Sequence, residues 1–541
     1  MFGELQKAAV AAAAVGVAAS LGAAVKFVGY GWDTAQYAPK DFVKMADEFG
    51  RTGLDGVIVG VPEMSNASAM SPMTLTHELV EKYVDDLRQF RERPGLSESF
   101  VLAAWSPIPK TAPRLDWRDD AAWEHFAANM RTYAWLAKAA GMKGLFIDNE
   151  DYLQKRQFWR AEGEPPYAQL RLLARQRGAQ VGRAMFGEYP EIVCIVYWLL
   201  TIDPGYVTAL DPVAYRDTKE DLWPSFIDGL LDVLPKTATL IDGDEHGYVY
   251  VAEKRDFAEA IVARTRRLVR LLAPENQAKY RGRVKMGFGQ YMDMYTNPPD
   301  ALYYQLPKDG SRLARFRDNL SGAVAAADDY VWFYGEKQKW VHWPNFKPRA
   351  AWMKIGQETW EEKLPGFARM LRDAKEPLAA LRNELDEQRA HGATNLLACA
   401  LANPKSYWKG DDSKIGFDFQ TGGSRRGGVR ISTTGHGNGC VLLSAGRVVR
   451  GEEYVGEIHV RGRCSRICLC WQKDGAWRWS VPAAEAVVGE PDADGWRRAI
   501  MRTVVPDGVD GMALKTDVGP KDGEKVEFDD AFVCRALSVD R

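Results

Sequence analysis

The sequence predicts an α/β fold, an eight-stranded (β/α)8 barrel, followed by an all-β jelly-roll sandwich. Three observations carry that prediction. Eight short apolar or β-branched runs recur through about the first 340 residues, roughly every 45 after a first interval of about 30. Amphipathic helical segments separate them, and buried-type strands alternating with helices imply βαβ units and a parallel sheet. From Asn395 onward the chain turns Gly-rich, with short alternating runs and few helical stretches, as in antiparallel strands.

The strand-like runs are Val25 to Trp32, Gly56 to Val61, Phe100 to Trp105, Gly144 to Asp148, Ile192 to Leu199, Thr239 to Asp242, Val284 to Gln290 and Tyr330 to Tyr334. Helical patterns between them include Asp41 to Phe49, Leu79 to Arg91, Ala121 to Ala140, Ala168 to Met185 and Phe257 to Leu272. Eight βα units suggest a closed barrel over residues 25–345. An open doubly wound sheet is the competitor. It would want a Gly-rich phosphate turn, and Gly29-Tyr30-Gly31-Trp32-Asp33 lacks the dinucleotide spacing. Residues 346–394 read as a connector holding Pro348, then a long charged helix from Trp360 to about Ala390, broken near Pro365 and Pro377 and packing on the barrel. Residues 395–541 carry the sandwich strands: Gly428 to Ser432, Cys440 to Ser444, Tyr454 to Arg461, Ser465 to Gln472, Arg497 to Val504, Gly511 to Thr516 and Val526 to Arg535.

The first 24 residues read as an export signal. Lys7 gives a positive start, Ala8 to Ala24 an apolar core, and Gly22 and Ala24 a small-residue cleavage site. An Ala-rich first helix or a weak membrane anchor is the alternative. The export reading places the protein in the periplasm, at the surface or outside the cell. No later stretch approaches the ~20 apolar residues of a membrane span. Lys and Arg number 71 against 73 Asp and Glu, so no basic excess points to nucleic acid. Of seven Cys, six lie after residue 395, and the Cys464–Cys468 spacing has no matching pair to make a zinc site. One or two disulfides stay open, and the oligomeric state is not written in the sequence.

In such barrels the chemistry sits at the carboxyl ends of the strands. Those ends supply Trp32 and Asp33; Glu63; Trp105; Asp148, Asn149, Glu150 and Asp151; Tyr197 and Trp198; Asp242, Asp244, Glu245 and His246; Gln290, Tyr291 and Asp293; and Glu336. Acids and aromatics dominate, while His is scarce and Cys absent, which speaks against a catalytic metal. Glycosidic cleavage needs one carboxylic acid to protonate the leaving oxygen and one carboxylate as nucleophile or base. Crowded carboxylates raise one another's pKa and keep such an acid protonated. The catalytic candidates are therefore Glu150, Asp148, Asp242, Glu245 and Glu336. Trp32, Asp33, Trp105, Tyr197, Trp198, Asp244, His246, Gln290 and Tyr291 are candidates for holding a poly- or oligosaccharide. Asp33, Glu63 and Asp293 also fit as helix caps, and Asp151 as a turn residue. No catalytic cofactor is expected. A non-catalytic carbohydrate-binding barrel and, lower, a metal-dependent hydrolase remain as alternatives.

These residues resemble barrel glycoside hydrolases. Gly144-Leu-Phe-Ile-Asp148-Asn-Glu150 looks like the fourth-strand Asp-x-Asp-x-Glu signature of chitinase-like hydrolases, which implies Glu150 as the acid and Asp148 as its partner. Phe146 replaces the first Asp of that pattern. Asn149-Glu150 resembles the fourth strand of the large retaining glycosidase clan, although Gln290 and Asp293 stand where a Glu would end strand seven. Asp148 with Asp242 resembles the α-galactosidase-like arrangement. The C-terminal segment is similar to jelly-roll carbohydrate-binding modules, from Asn395-Leu-Leu to Val526-Glu-Phe-Asp529-Asp530-Ala-Phe-Val533. That resemblance implies a structural calcium with Asp530 as a ligand, and a stacking platform from Trp408, Trp471, Trp477 and Trp479.

Overall fold

A computed structural model describes residues 25–537, apart from 67, 107–110, 201–204, 309, 349–352, 403–406 and 423–427. The expected leader, residues 1–24, lies outside the described residues. The chain divides into two compact units between Lys375 and Glu376. The first is a (β/α)8 barrel and the second an antiparallel β-sandwich. Among the described residues no helix is long and apolar enough to cross a membrane.

The barrel strands are β1 (Lys26–Gly31), β2 (Gly56–Val59), β3 (Phe100–Ala104), β4 (Gly144–Asp148), β5 (Val193–Val196), β6 (Thr239–Asp242), β7 in two pieces (Val284–Met286 and Phe288–Tyr291) and β8 (Tyr330–Gly335). All pair in parallel. The break in β7 falls at Gly287. Its first piece pairs with β6 and its second with β8, which in turn pairs with β1 from Lys26↔Tyr330 to Gly31↔Gly335. The ring is thereby closed without a free edge.

Side chains from alternate strand positions fill the barrel: Val28, Ile58, Leu102, Phe146, Ile195, Ile241 and Trp332, with Phe100 and Tyr330 below them. Helices surround the ring. Asp119 caps Asp120–Ala139 by accepting from the Ala122 amide, and Ser311 caps Arg312–Ala326 in the same way. Helices Tyr167–Glu188 and Trp223–Val233 pack closely because glycine stands at the contact. A Cβ on Gly229 would lie 1.9 Å from the Arg175 carbonyl oxygen. The helix expected over Phe257 to Leu272 is not continuous. Asp256–Val262 runs into a π turn, Ala263–Arg267, and then a 3-10 turn, Leu268–Leu271. Such turns re-aim side chains, and here Arg264 reaches two buried carboxylates.

The long helix expected from Trp360 to about Ala390 is three helices: Trp360–Lys363, Phe367–Lys375 and Pro377–Ala390. Proline lacks the amide that would continue the ladder, so the helix restarts at Pro377. The segment expected on the barrel is thus divided. Phe367 packs on Phe316 of the barrel unit, whereas Leu381 and Leu385 pack with Val455, Ile500 and Phe532 in the sandwich unit.

One sheet of the sandwich runs in the order Tyr407–Lys409, Gly439–Arg447, Gly511–Val518, Cys464–Lys473, Ala476–Trp477. The other runs Gly416–Thr421, Val429–Thr434, Glu527–Arg535, Glu453–Arg461, Arg497–Val504, Val487–Val488. Leu443, Ile458, Leu469, Leu514 and Val533 lie in the core between them. All seven cysteines are free thiols.

Candidate active site

Strand parity decides which strand-end residues see the barrel mouth. Residues two apart on a strand face the same way. Phe146 lies in the barrel interior, so Asp148 at the end of β4 also faces inward. On β6 the interior residue is Ile241, which turns the neighbouring Asp242 outward, toward the helices.

Asp148, Glu150 and Glu245 come together at the mouth. Asp148 Oδ1 accepts a hydrogen bond from the Glu150 amide at 3.1 Å, which fixes the chain as it leaves β4. Burial, and then the charge of Glu150, push the Asp148 carboxyl up to about 8. Glu245 opens a 3-10 turn after β6, and burial, followed by the charges of Glu150 and Asp148, pushes it up to about 9. Three carboxyls from two separate strands therefore share one poorly hydrated space, where burial and mutual charge raise Asp148 and Glu245 and favour their protonated forms.

Tyrosines floor this space. Tyr30 stacks on Tyr334 at 5.6 Å, Tyr248 on Tyr291 at 5.2 Å, and Tyr197 on Trp332 at 5.0 Å. Gly289 makes room for these rings, since a Cβ there would lie 2.7 Å from Trp332 and 2.8 Å from Tyr248. Burial, and then the nearby carboxylates, hold the hydroxyls of Tyr30, Tyr197, Tyr248 and the more exposed Tyr152 above the ordinary phenol range. Tyr30, Tyr152, Tyr248 and Tyr334 were not among the sequence candidates. Strand parity accounts for two of them, Tyr30 following the interior Val28 by two positions and Tyr334 following Trp332, but strands buried along nearly their whole length do not mark in sequence which residues are interior.

A second polar unit stands on β7 and β8. Tyr334 donates to Glu336 Oε1 at 3.0 Å, and the Tyr291 hydroxyl also hydrogen-bonds to Glu336. Trp198 and His246 are half-buried neighbours, their rings 6.0 Å apart. Trp32 is half-buried, and its carbonyl accepts from Gln36 Nε2 at 2.7 Å.

The remaining candidates are enclosed. Asp242, with no exposed surface, accepts from the amides of Leu199 (3.1 Å) and Leu200 (3.2 Å) and from the Tyr280 hydroxyl (3.2 Å). Arg264, equally enclosed, lies 3.7 Å from Asp242 and 3.1 Å from Asp244. Asp244 also accepts from Tyr250 at 3.1 Å. These two acids are corrected from mouth residues to a buried ion cluster in the wall. Asp33 is corrected likewise: it caps no helix, and it accepts from the Trp340 amide and Trp343 Nε1, each at 2.8 Å. Burial pushes its carboxyl up to about 6 against those bonds. Gln290 faces outward and bonds to the Gly289 carbonyl. Trp105 is core, edge-on to Phe126, Trp223 and Phe226. Asn149 braces β5, donating to the Trp198 carbonyl at 2.9 Å. Asp151 closes a turn on the Leu153 and Gln157 amides.

Among the described residues no group of three or more His, Cys, Asp or Glu is arranged to hold a metal ion. The surroundings of Asp530 do not fit calcium. Its carboxylate lies 3.8 Å from His459 Nδ1, its carbonyl accepts from Arg389, and the adjacent Asp529 pairs with Arg430 at 3.2 Å. The guanidinium groups of Arg389 and Arg430 already engage the Asp530 carbonyl and the Asp529 carboxylate, oxygens that a calcium ion would need as ligands. In the sandwich Trp471 is 2% exposed, whereas Trp408 and Trp479 are 55% and 61% exposed. Trp479 stacks on Trp477 at 5.1 Å, and Lys515 lies over its ring.

No family model and no curated protein matches the chain. Among solved structures, the catalytic domain of a chitinase from Pyrococcus furiosus is 12% identical, with 65% of this chain and 95% of that one covered and a TM-score of 0.35. A D-allulose 3-epimerase from Methylomonas sp. is 10% identical over 66% and 98%, with a TM-score of 0.33. The CBM22-1-GH10 modules of a Clostridium thermocellum xylanase are 11% identical over 26% and 27%, with a TM-score of 0.17. The chain spans about a fifth to a quarter of the length of the first two structures matched, the tailspike protein 4 domain of bacteriophage CBA120 and that xylanase. With TM-scores this low, the barrel and the sandwich rest on the strand pairing of the chain itself.

Proposed function

We propose that the chain is a glycoside hydrolase that cleaves a poly- or oligosaccharide at the barrel mouth. One observation carries this reading: Asp148, Glu150 and Glu245 meet in a tyrosine-floored space where burial and one another's charge favour the protonated forms of Asp148 and Glu245. Glu245 is the proton donor to the departing glycosidic oxygen. Glu150, whose charge raises both neighbours, is the nucleophile, or the base that takes a proton from the attacking water. Asp148 holds a proton beside Glu150 and stabilises its charge. The tyrosine rings offer faces for a sugar to stack on. The exposed Trp408 and the Trp477–Trp479 pair support a glycan-holding role for the sandwich. Export rests on the Ala-rich leader.

The test is a product profile over a polysaccharide library, with NMR of the first anomer released. Glu245→Gln should cut kcat on natural linkages by ~10²–10⁴-fold and far less on aryl glycosides, whose leaving groups need no acid. Glu150→Gln should lose both activities. Equal loss on both substrate types in Glu245→Gln overturns the acid assignment. A wild-type chain that binds glycans and cleaves none overturns the hydrolase and leaves a carbohydrate-binding barrel.

A further inference from the structure

Glu336 stands apart from the proton-sharing carboxyls. The charges that shape Asp148 and Glu245 are chiefly those of Glu150 and of Asp148 itself, whereas the charge of Glu336 is felt by Tyr334 and Tyr291. Its backbone is fixed from below. Asp293, with no exposed surface, accepts from the Glu336 amide at 2.7 Å through Oδ2 and from the Lys337 amide at 3.2 Å through Oδ1. Asp293 is itself held in the 3-10 turn Met292–Tyr295 that leaves β7, where its carbonyl accepts from the Asn297 amide at 2.8 Å. Asn297 in turn accepts from the Lys337 ammonium. The end of β7 thus grips the end of β8 through one buried carboxylate. That is not the helix cap expected of Asp293 from sequence.

The consequence lies in what Glu336 has left to offer. A carboxylate has about four acceptor sites, and two phenols occupy only some of them. Glu336 is half-buried and follows Tyr334 by two positions, so it lies at the edge of the tyrosine stack that Tyr334 forms with Tyr30 and Tyr291. A fixed acceptor at the edge of an aromatic stack suits a sugar ring, which presents hydroxyls at its own edge.

Resting on the hydrolase reading above, we propose that Glu336, with Tyr291 and Tyr334, binds hydroxyls of a sugar ring beyond the pair joined by the cleaved bond, and that Asp293 is the residue that positions it. Glu336 then contributes to substrate affinity and takes no part in proton transfer.

The test measures kinetics and binding of the full chain with cello-, chito-, xylo-, laminari- and mannohexaose and the matching disaccharides. Binding is read by calorimetry in a Glu150→Gln background, where turnover is stalled. Glu336→Gln and Asp293→Asn should each weaken hexaose binding and raise KM by ~10–100-fold, with kcat changed less than about threefold. The disaccharide, which supplies only the two rings joined by the cleaved bond, should lose much less. Tyr334→Phe, which keeps the fold and removes one donor, should show a smaller loss of the same kind. This keeps the test alive if Asp293→Asn does not fold. A fall in kcat at unchanged KM in Glu336→Gln, or unchanged hexaose binding in folded Asp293→Asn, overturns this proposal and leaves the hydrolase standing. Failure of every hexaose to bind the wild-type chain overturns both.

Discussion

Asp242→Asn should damage the barrel and spare the chemistry. Asp242 Oδ1 accepts from the Leu199 amide, and Oδ2 accepts from the Leu200 amide and the Tyr280 hydroxyl. An asparagine supplies one acceptor oxygen and one NH2 group. In either orientation the NH2 meets at least one buried backbone N–H, and an unsatisfied buried donor costs about 1–3 kcal/mol. The change also removes one of two counter-charges from Arg264, which has no exposed surface. Removing a partner from a buried pair costs about 3–5 kcal/mol, and Asp244 remains to hold part of that. The expected loss is about 3–4 kcal/mol, a factor of several hundred in the unfolding equilibrium of the barrel. Guanidinium unfolding should be followed by hydrogen exchange at the Leu199 and Leu200 amides, because the chain holds a second compact unit whose own transition would enter a whole-chain signal. Turnover per folded molecule, on the substrate the library identifies, should change less than about threefold. Destabilisation below about 1 kcal/mol would refute the ion-cluster assignment. A well-folded variant with kcat down ~10³-fold would restore Asp242 to the chemistry.

Activity on the oligosaccharide the library identifies should fall as pH rises through about 8 to 9, where Asp148 and Glu245 give up their protons, and a pH–rate profile on an aryl glycoside, whose leaving group needs no acid, should show a much weaker basic limb. The same two carboxyls bind protons more tightly folded than unfolded. Their contribution to stability is complete below their ordinary values of 3.8 and 4.5 and is lost as pH rises through about 8 and about 9, so denaturant midpoints of the barrel should drop over that window. Gly229→Ala should separate the helices Tyr167–Glu188 and Trp223–Val233, because its methyl would meet the Arg175 carbonyl at 1.9 Å; calorimetry should show a loss of about 2 kcal/mol or more. Trp479→Ala should weaken retention on insoluble polysaccharide several-fold while hydrolysis of soluble oligomers is unchanged, as pull-down and reducing-sugar assays would show.

The sequence by itself determined the strands and their order. Each of the eight runs from Val25 to Tyr334 coincides with a strand, because a parallel strand needs only a short β-branched or apolar stretch bounded by turns. It also determined that acids cluster after the fourth and sixth strands. It did not determine which acids share the mouth. A barrel strand is buried on both faces, so Leu240, Ile241 and Asp242 carry no alternation to reveal which of them looks inward. Only the ring placed Ile241 inside and Asp242 against Arg264, and brought Glu245 within reach of Asp148 and Glu150. The same limit hid the tyrosine floor and the grip of Asp293 on Glu336. The floor joins β1 to β8, and the grip spans 43 residues between β7 and β8, so neither exists until the ring sets those strands side by side.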